Sequence, residues 1–200
     1  MAKLESSFKN MLISLTGVTL IASATLGLVN DATIAPIAKA EKEKQTKAIA
    51  SVLPEFNHLA DPVKVMPADG KDSITIFQGL DANNEVVGSA VQSYTYKGFS
   101  GYIEVMVGLD NKGTVSGYQV LKHAETPGLG AKMGIWFNNT EKPKQNVIGR
   151  SLKEGTLTVS KDGGQVDAIT AATISSRAFL DAVNRAYTVV SKSGESAQNE

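Results

Sequence analysis

The sequence predicts an α+β protein: a mainly antiparallel sheet from two tandem β-hairpins, a packed C-terminal helix, and one N-terminal transmembrane helix. Three observations carry this reading. An uncharged run fills Met11 to Asn30. A unit beginning Gly-Leu-Asp recurs at an offset of 29 residues. An apolar stripe at helical spacing runs through Phe179, Val183, Ala186 and Val190.

The elements follow in chain order. The uncharged run of residues 11–30 is long enough to cross a membrane, since twenty helical residues rise about 30 Å, the thickness of a bilayer's hydrocarbon core. It exceeds the apolar stretch of a signal peptide, usually about 7–15 residues, so it reads as an uncleaved anchor. The arm of residues 1–10 carries Lys3, Lys9 and the amino terminus against Glu5. That positive excess places the arm in the cytoplasm. The chain is then a single-pass protein of the cytoplasmic (inner) membrane, with an extracytoplasmic, periplasmic C-terminal domain. Residues 31–56 read as a solvated helical stalk, because "KAEKEKQTKAIASVL" mixes good helix formers with both charges. Pro54 stops it.

The domain is placed at residues 57–192, and 193–200 form a flexible tail. Its first part, 57–72, reads as a loop because it holds Pro62, Pro67 and Gly70. Then "GLDANNEVVG" (79–88) and "GLDNKGTVSG" (108–117) align Gly79 with Gly108, Asp81 with Asp110, Val86 with Val115 and Gly88 with Gly117. Strand-like runs flank each copy, so both are hairpin turns. The hairpins join through Gly98 to Gly101. After the second comes an irregular loop at 123–133, then a third strand-like stretch, "GTLTVS", ending at Asp162-Gly163-Gly164. The last helix is expected over 173–191, with Asp181, Asn184 and Arg185 off its apolar stripe.

Composition excludes several functions. Twenty basic and 20 acidic side chains balance to zero net charge, which argues against nucleic acid as a partner. The absence of cysteine excludes disulfides, thiolate zinc sites and iron–sulfur clusters. With only His58 and His123 as histidines, no metal site is expected. Redox chemistry here would require a bound organic cofactor.

Two stretches carry candidate chemistry. "DAITAATISS" (167–176) crowds hydroxyls at the expected helix entrance. Thr170 or Thr173 can cap the first turn. Alternatively, a phosphate can sit there, with Ala171 and Ala172 leaving the approach open and Arg177 one turn on to pair with it. The residues alone leave both readings open. "HAETPGLG" (123–130) places His123 and Glu125 on one side of a strand end, weak grounds for acid–base chemistry. Thr126, Pro127, Gly128, Leu129 and Gly130 read as a rigid, low loop whose backbone can approach a flat ligand.

The ordered pair "HAETPGLG" and "DAITAAT", behind one membrane helix, resembles the FMN-binding G subunit of the Rnf electron-transport complex. The resemblance covers nearly the whole chain, including "GFSGYIEVMVGLD". It implies FMN held covalently, by a phosphoester bond to Thr173, with Thr170 as the fallback acceptor. It implies that Glu125 to Gly130 line the isoalloxazine. Asp167 serves recognition by a flavin transferase or local turn structure, the former being favoured. The family's glycine is Ala171 here, and alanine does not easily take a left-handed backbone. Implied partners are the other membrane subunits of the complex, membrane lipid, and a Mg²⁺-dependent flavin transferase for maturation. The implied activity belongs to the complex, a redox-driven translocase moving electrons between ferredoxin and NAD⁺ while transporting Na⁺ or H⁺. No catalytic residue is expected in this chain alone. The C subunit of the Na⁺-translocating NADH:quinone reductase shares both motifs and is the alternative, as is a non-redox tethered scaffold. Tyr94, Tyr96, Phe99 and Trp136 can touch the flavin or a partner, and plain packing is the favoured reading for each.

Overall fold

A computed structural model describes residues 7–67 and 70–197; the expected basic arm therefore lies mostly outside the described residues. The chain divides into two compact units, at Lys44/Gln45. The first is helical. Helix α1 (Phe8–Val52) runs unbroken through the apolar run and past Pro36, and is long and apolar enough to cross a membrane once. It ends two residues before Pro54, as expected from the restriction proline places on its predecessor.

The second unit is the sheet domain. Strands β1 (His58–Leu59), β2 (Val63–Val65), β3 (Ile74–Leu80), β4 (Val86–Gly98), β5 (Gly101–Asp110) and β6 (Val115–His123) form one antiparallel sheet, ordered β1-β3-β4-β5-β6 with β2 also on β3. The two tandem hairpins are β3–β4 and β5–β6. Their turns repeat atom for atom. Asp81 Oδ1 accepts the N–H groups of Asn83 and Glu85 at 2.8 and 2.9 Å; Asp110 Oδ1 accepts those of Lys112 and Thr114, both at 2.8 Å. Asn84 and Gly113 are the matching left-handed residues, with φ 64° and 79°. Each turn thus rests on an aspartate bonding its own backbone.

The repeated glycines have a second use. Gly79 pairs with Gly88, and Gly108 with Gly117. A Cβ at Gly79 would lie 3.1 Å from Leu53 Cδ1, one at Gly117 would lie 3.1 Å from Val52 Cα, and one at Gly108 would overlap the Val52 carbonyl. The glycines are a seat for the end of α1. Ser116 Oγ–H donates to the Val52 carbonyl at 2.5 Å. Ala48, Ile49, Val52 and Leu53 are buried there against Ala90 and Met106. The stalk expected to be solvated therefore ends as core, because the bare sheet face admits its backbone.

Helix α3 (Thr173–Ala197) covers the opposite face. Phe179, Leu180, Val183 and Ala186 are buried against Val91, Val105, Val107 and Leu109. The stripe read from the sequence is the core. Two residues off the stripe are tethers: Asp181 accepts from Thr95 Oγ and Lys97 Nζ, and Asn184 holds both the N–H and C=O of Leu157 at 2.9 Å.

Three expectations are corrected. The segment "GTLTVS" is not a sheet strand: Asn184 occupies its backbone at Leu157, and only a single parallel bridge joins Val159 to Val166. The 57–72 loop contains β1 and β2, since the outer edge of β3 needs backbone partners and Pro62 divides the covering chain in two. Helix α3 continues to Ala197, into the expected tail, because extending a formed helix costs far less than starting one. Residues 198–200 lie outside the described residues.

Candidate functional site

The two motifs, some forty residues apart in sequence, meet at one end of the sheet. Strand β6 ends at His123, whose Nδ1 accepts the N–H of Glu125 at 3.2 Å. The next four residues make a tight turn: Leu129 N–H donates to the Thr126 carbonyl at 3.1 Å, and Gly128 takes φ 77°. Proline second and a left-handed glycine third is the pattern of a type II turn. Pro127 and Gly128 thus shape the loop and do not line the cavity. A 3₁₀ turn (Gly130–Lys132) and a short helix α2 (Met133–Trp136) follow. The Met133 carbonyl accepts from Tyr118 Oη–H at 2.8 Å, pinning this segment to the sheet.

Glu125 is 4 % exposed. Its Oε1 accepts the Ser100 N–H at 2.9 Å, and its Oε2 accepts Ser175 Oγ–H. A single carboxylate therefore joins the β4–β5 turn, the loop after β6 and the first turn of α3. Between these walls lies a cavity of about 320 Å³. Glu125, Thr126, Leu129, Gly130, Ala171, Ala172 and Thr173 line it, as does Phe99 together with Ile174 and Ser175.

The hydroxyls of "DAITAATISS" divide their tasks. Ser176 Oγ accepts the Ile169 N–H at 2.9 Å and donates to the Ala172 carbonyl at 2.9 Å, bracing the helix entrance from inside. Ser175 reaches Glu125. Thr173 Oγ1 accepts a hydrogen bond from Lys161 Nζ at 3.2 Å. Thr170 is exposed and does not line the cavity. No threonine hydroxyl caps the first turn among the described residues. The first-turn N–H groups of α3 lack an intrahelical acceptor by geometry and favour an anion.

Ala171 takes φ 58°. The left-handed backbone that alanine resists is therefore adopted here. Left-handed alanine costs about 1–2 kcal/mol, and the loop geometry imposes it: Ala172 N–H closes onto the Ile169 carbonyl at 3.0 Å just before the helix starts. Ala171→Gly is expected to raise unfolding free energy by about 0.5 to 1 kcal/mol, after glycine's extra chain entropy is subtracted. Urea unfolding of the detergent-solubilised protein measures it.

Arg177 is not at the cavity. Its Nε and Nη2 clasp the two carboxylate oxygens of Asp162, each at 2.7 Å. The guanidinium holds the Asp162 carboxyl below the usual carboxylate range and is itself raised. The sign follows: the clasp is complete at neutral pH and is lost as pH falls through the lowered Asp162 value. Asp162 belongs to the 3₁₀ turn Ser160–Asp162, which also bears Lys161. Asp167 Oδ1 accepts Ser160 Oγ–H from the same turn at 2.6 Å, and its carbonyl accepts Trp136 Nε1–H at 2.9 Å. Arg177 and Asp167 thus brace the turn that presents Lys161 to Thr173. For Asp167 this is the local-turn role.

Phe99 and Lys161 lie outside both motifs, while Ile174 and Ser175 lie within "DAITAATISS" without having been assigned to the site. Phe99 is 69 % exposed, at the cavity rather than packed away. Tyr94 is core and Trp136 is half-buried, as packing residues should be, whereas Tyr96 is 47 % exposed, its ring resting against Tyr94 and Tyr102 at the surface. Lys161 had one sequence signal, its place beside a Gly-Gly turn before the motif.

Comparison with known proteins bears on this pocket. Residues 98–188 match the family model described as FMN-binding domain. The chain is 34% identical over 193 residues to the G subunit of the ion-translocating oxidoreductase complex of Shewanella amazonensis, covering 94% of this chain and 89% of that one. It is 33% identical to the G subunit of the same name from Methanosarcina acetivorans, over 90% and 93% of the two chains. This chain belongs to the G-subunit family of ion-translocating oxidoreductase complexes. A third G subunit, from Acetobacterium woodii, is 30% identical over 86% of each chain and is named for a Na⁺-translocating ferredoxin:NAD⁺ oxidoreductase complex. The FMN-binding match includes every residue that lines the pocket, from Phe99 to Ser175, and Lys161, which bonds to Thr173. The residues suit such a group. Phe99, Leu129 and Ile174 offer an apolar wall to a flat ring, and the helix start with Lys161 offers a place for phosphate.

Proposed function

We propose that this chain is the membrane-anchored flavoprotein subunit of a redox-driven, ion-translocating oxidoreductase complex, carrying FMN as a phosphoester on Thr173. The observation that carries the reading is the setting of Thr173. Thr173 lines the cavity at the start of α3, two residues from a left-handed alanine, and its hydroxyl lies 3.2 Å from a lysine ammonium. Thr170 is exposed and does not line the cavity.

The attachment is made by a separate Mg²⁺-dependent flavin transferase. Thr173 Oγ forms the new bond to phosphorus, the bond from phosphorus to the donor's leaving group breaks, and the hydroxyl proton departs to the transferase. The ester keeps a negative charge, which the helix N-terminus and Lys161 offset. The flavin supplies the redox chemistry; the protein supplies position and electrostatics. Helix α1 anchors the subunit in lipid, and the other membrane subunits complete the complex. The sheet domain lies outside the cytoplasm, where a tethered cofactor is not lost. By relation to the Acetobacterium woodii protein, the terminal partners of the complex are ferredoxin and NAD⁺.

The test is co-expression with a flavin transferase followed by a denaturing gel. Fluorescence that survives denaturation is expected. Its absence, with the transferase proven on another substrate, contradicts the reading. Lys161→Ala is expected to slow flavin incorporation about tenfold, the effect of one charge-assisted hydrogen bond, while Lys161→Arg retains most of the rate. Initial rates of in-gel fluorescence gain measure both.

A further inference from the structure

We infer that Glu125 is a residue that sets the flavin's reduction potential, holding it low with a buried negative charge in the wall of the cavity. This rests on the flavin occupying the cavity as proposed above. Three observations carry it.

The first is burial without a counter-charge in its own bonds. Glu125 is 4 % exposed, and its two hydrogen-bond donors, Ser100 N–H and Ser175 Oγ–H, are neutral. Neutral donors stabilise a carboxylate but do not cancel its charge at a distance. The Lys97–Asp181 and Arg177–Asp162 pairs engage other carboxylates. The second is the space kept for it. A Cβ at Gly98 would lie 2.5 Å from the Gly101 carbonyl and 2.7 Å from Glu125 Oε1, and a Cβ at Gly130 would meet Ser175 Oγ and lie 2.6 Å from Glu125 Oε2. Two glycines on two different segments are bare where this carboxylate sits. The third is location. Glu125 and Ser175 both line the cavity, together with the apolar side chains of Phe99, Leu129 and Ile174.

Burying a carboxylate is unfavourable unless its bonds offset the lost hydration. A neutral residue could join the same three segments more cheaply, so the charge calls for a use. Oxidised isoalloxazine is neutral. Taking two electrons from a reductant and one proton from solvent leaves it with one negative charge. A fixed carboxylate nearby opposes that charge in the low-dielectric wall, so the reduced form is disfavoured. The Ser175 hydroxyl, donating to the carboxylate, moderates the same field.

The experiment is a spectroelectrochemical titration of the flavin-loaded, detergent-solubilised full chain, with dithionite as reductant. Glu125→Gln keeps an acceptor for Ser175 and removes the charge. It is expected to raise the midpoint potential by at least a tenfold change in the reduced-to-oxidised ratio, about 30 mV for a two-electron couple. Ser175→Ala keeps the charge and removes its moderating bond, and is expected to move the potential the opposite way. A merely structural Glu125 would move both variants in one direction or neither. A Glu125→Gln potential that is unchanged or lower overturns the inference. Should Glu125→Gln not fold, the pair Glu125→Met and Ser175→Ala, made together, removes carboxylate and hydroxyl at once, and the same rise is required of it. A wild-type chain without covalent flavin contradicts the proposed function instead, so the two failures are told apart.

Discussion

Thr173→Ala is expected to abolish covalent flavin, leaving in-gel fluorescence at background while the protein still folds. The alanine keeps the helix start intact and removes the hydroxyl that Lys161 Nζ meets at 3.2 Å, together with one methyl group. Thr173 is half-buried and caps nothing among the described residues, so the change in stability should stay within about 0.5 kcal/mol. Loss of flavin with an unchanged unfolding midpoint separates attachment chemistry from misfolding. Thr170 offers no rescue, because its side chain is exposed and away from the cavity. Thr170→Ala is accordingly expected to load flavin like the wild type.

The largest loss of stability is expected at a position far from the cavity. A methyl group at Gly108 would overlap the Val52 carbonyl and lie 2.5 Å from Ser116 Oγ. The obstacle is backbone, which cannot rotate away. Gly108→Ala must lift the end of α1 from the sheet or bend β5, and it exposes Ile49 and Val52, both buried there. Overpacking of this kind costs about 3 kcal/mol. Thermal unfolding of the detergent-solubilised protein measures it. Gly134→Ala, at a glycine whose Cβ would meet nothing within 4 Å, is the matched control and should change little.

The sequence was most legible where one residue type serves one local rule. The repeat announced both hairpins because each turn needs an aspartate two and four residues ahead of the N–H groups it binds. The apolar stripe of α3 was readable because Phe179, Leu180 and Val183 obey helical spacing. Tertiary choices were not readable. That Arg177 would turn to Asp162, and that Lys161 would meet Thr173 instead, depends on how one 3₁₀ turn docks on a helix. Nothing in local pattern distinguishes the two cations. Asn184 likewise stands off the apolar stripe, with no local sign that it takes the backbone of Leu157 from any sheet partner. Ala171 shows the opposite error. Propensity argued against a left-handed alanine, and the closing turn at Ile169–Ala172 imposed it. Glu125 was legible as a member of its motif, but its bonds to Ser100 and Ser175 join three distant segments.

One measurement bears most directly on the central claim. Trypsin cleaves after Lys161 and Arg177, so the peptide Asp162–Arg177 contains Thr170, Thr173, Ser175 and Ser176 together. It is to be isolated from the wild-type chain co-expressed with an active flavin transferase and fragmented in a mass spectrometer. The expected result is a mass gain of FMN less water, carried only by fragments that include Thr173. An unmodified peptide, or the same gain assigned to Thr170 or a serine, would contradict the account.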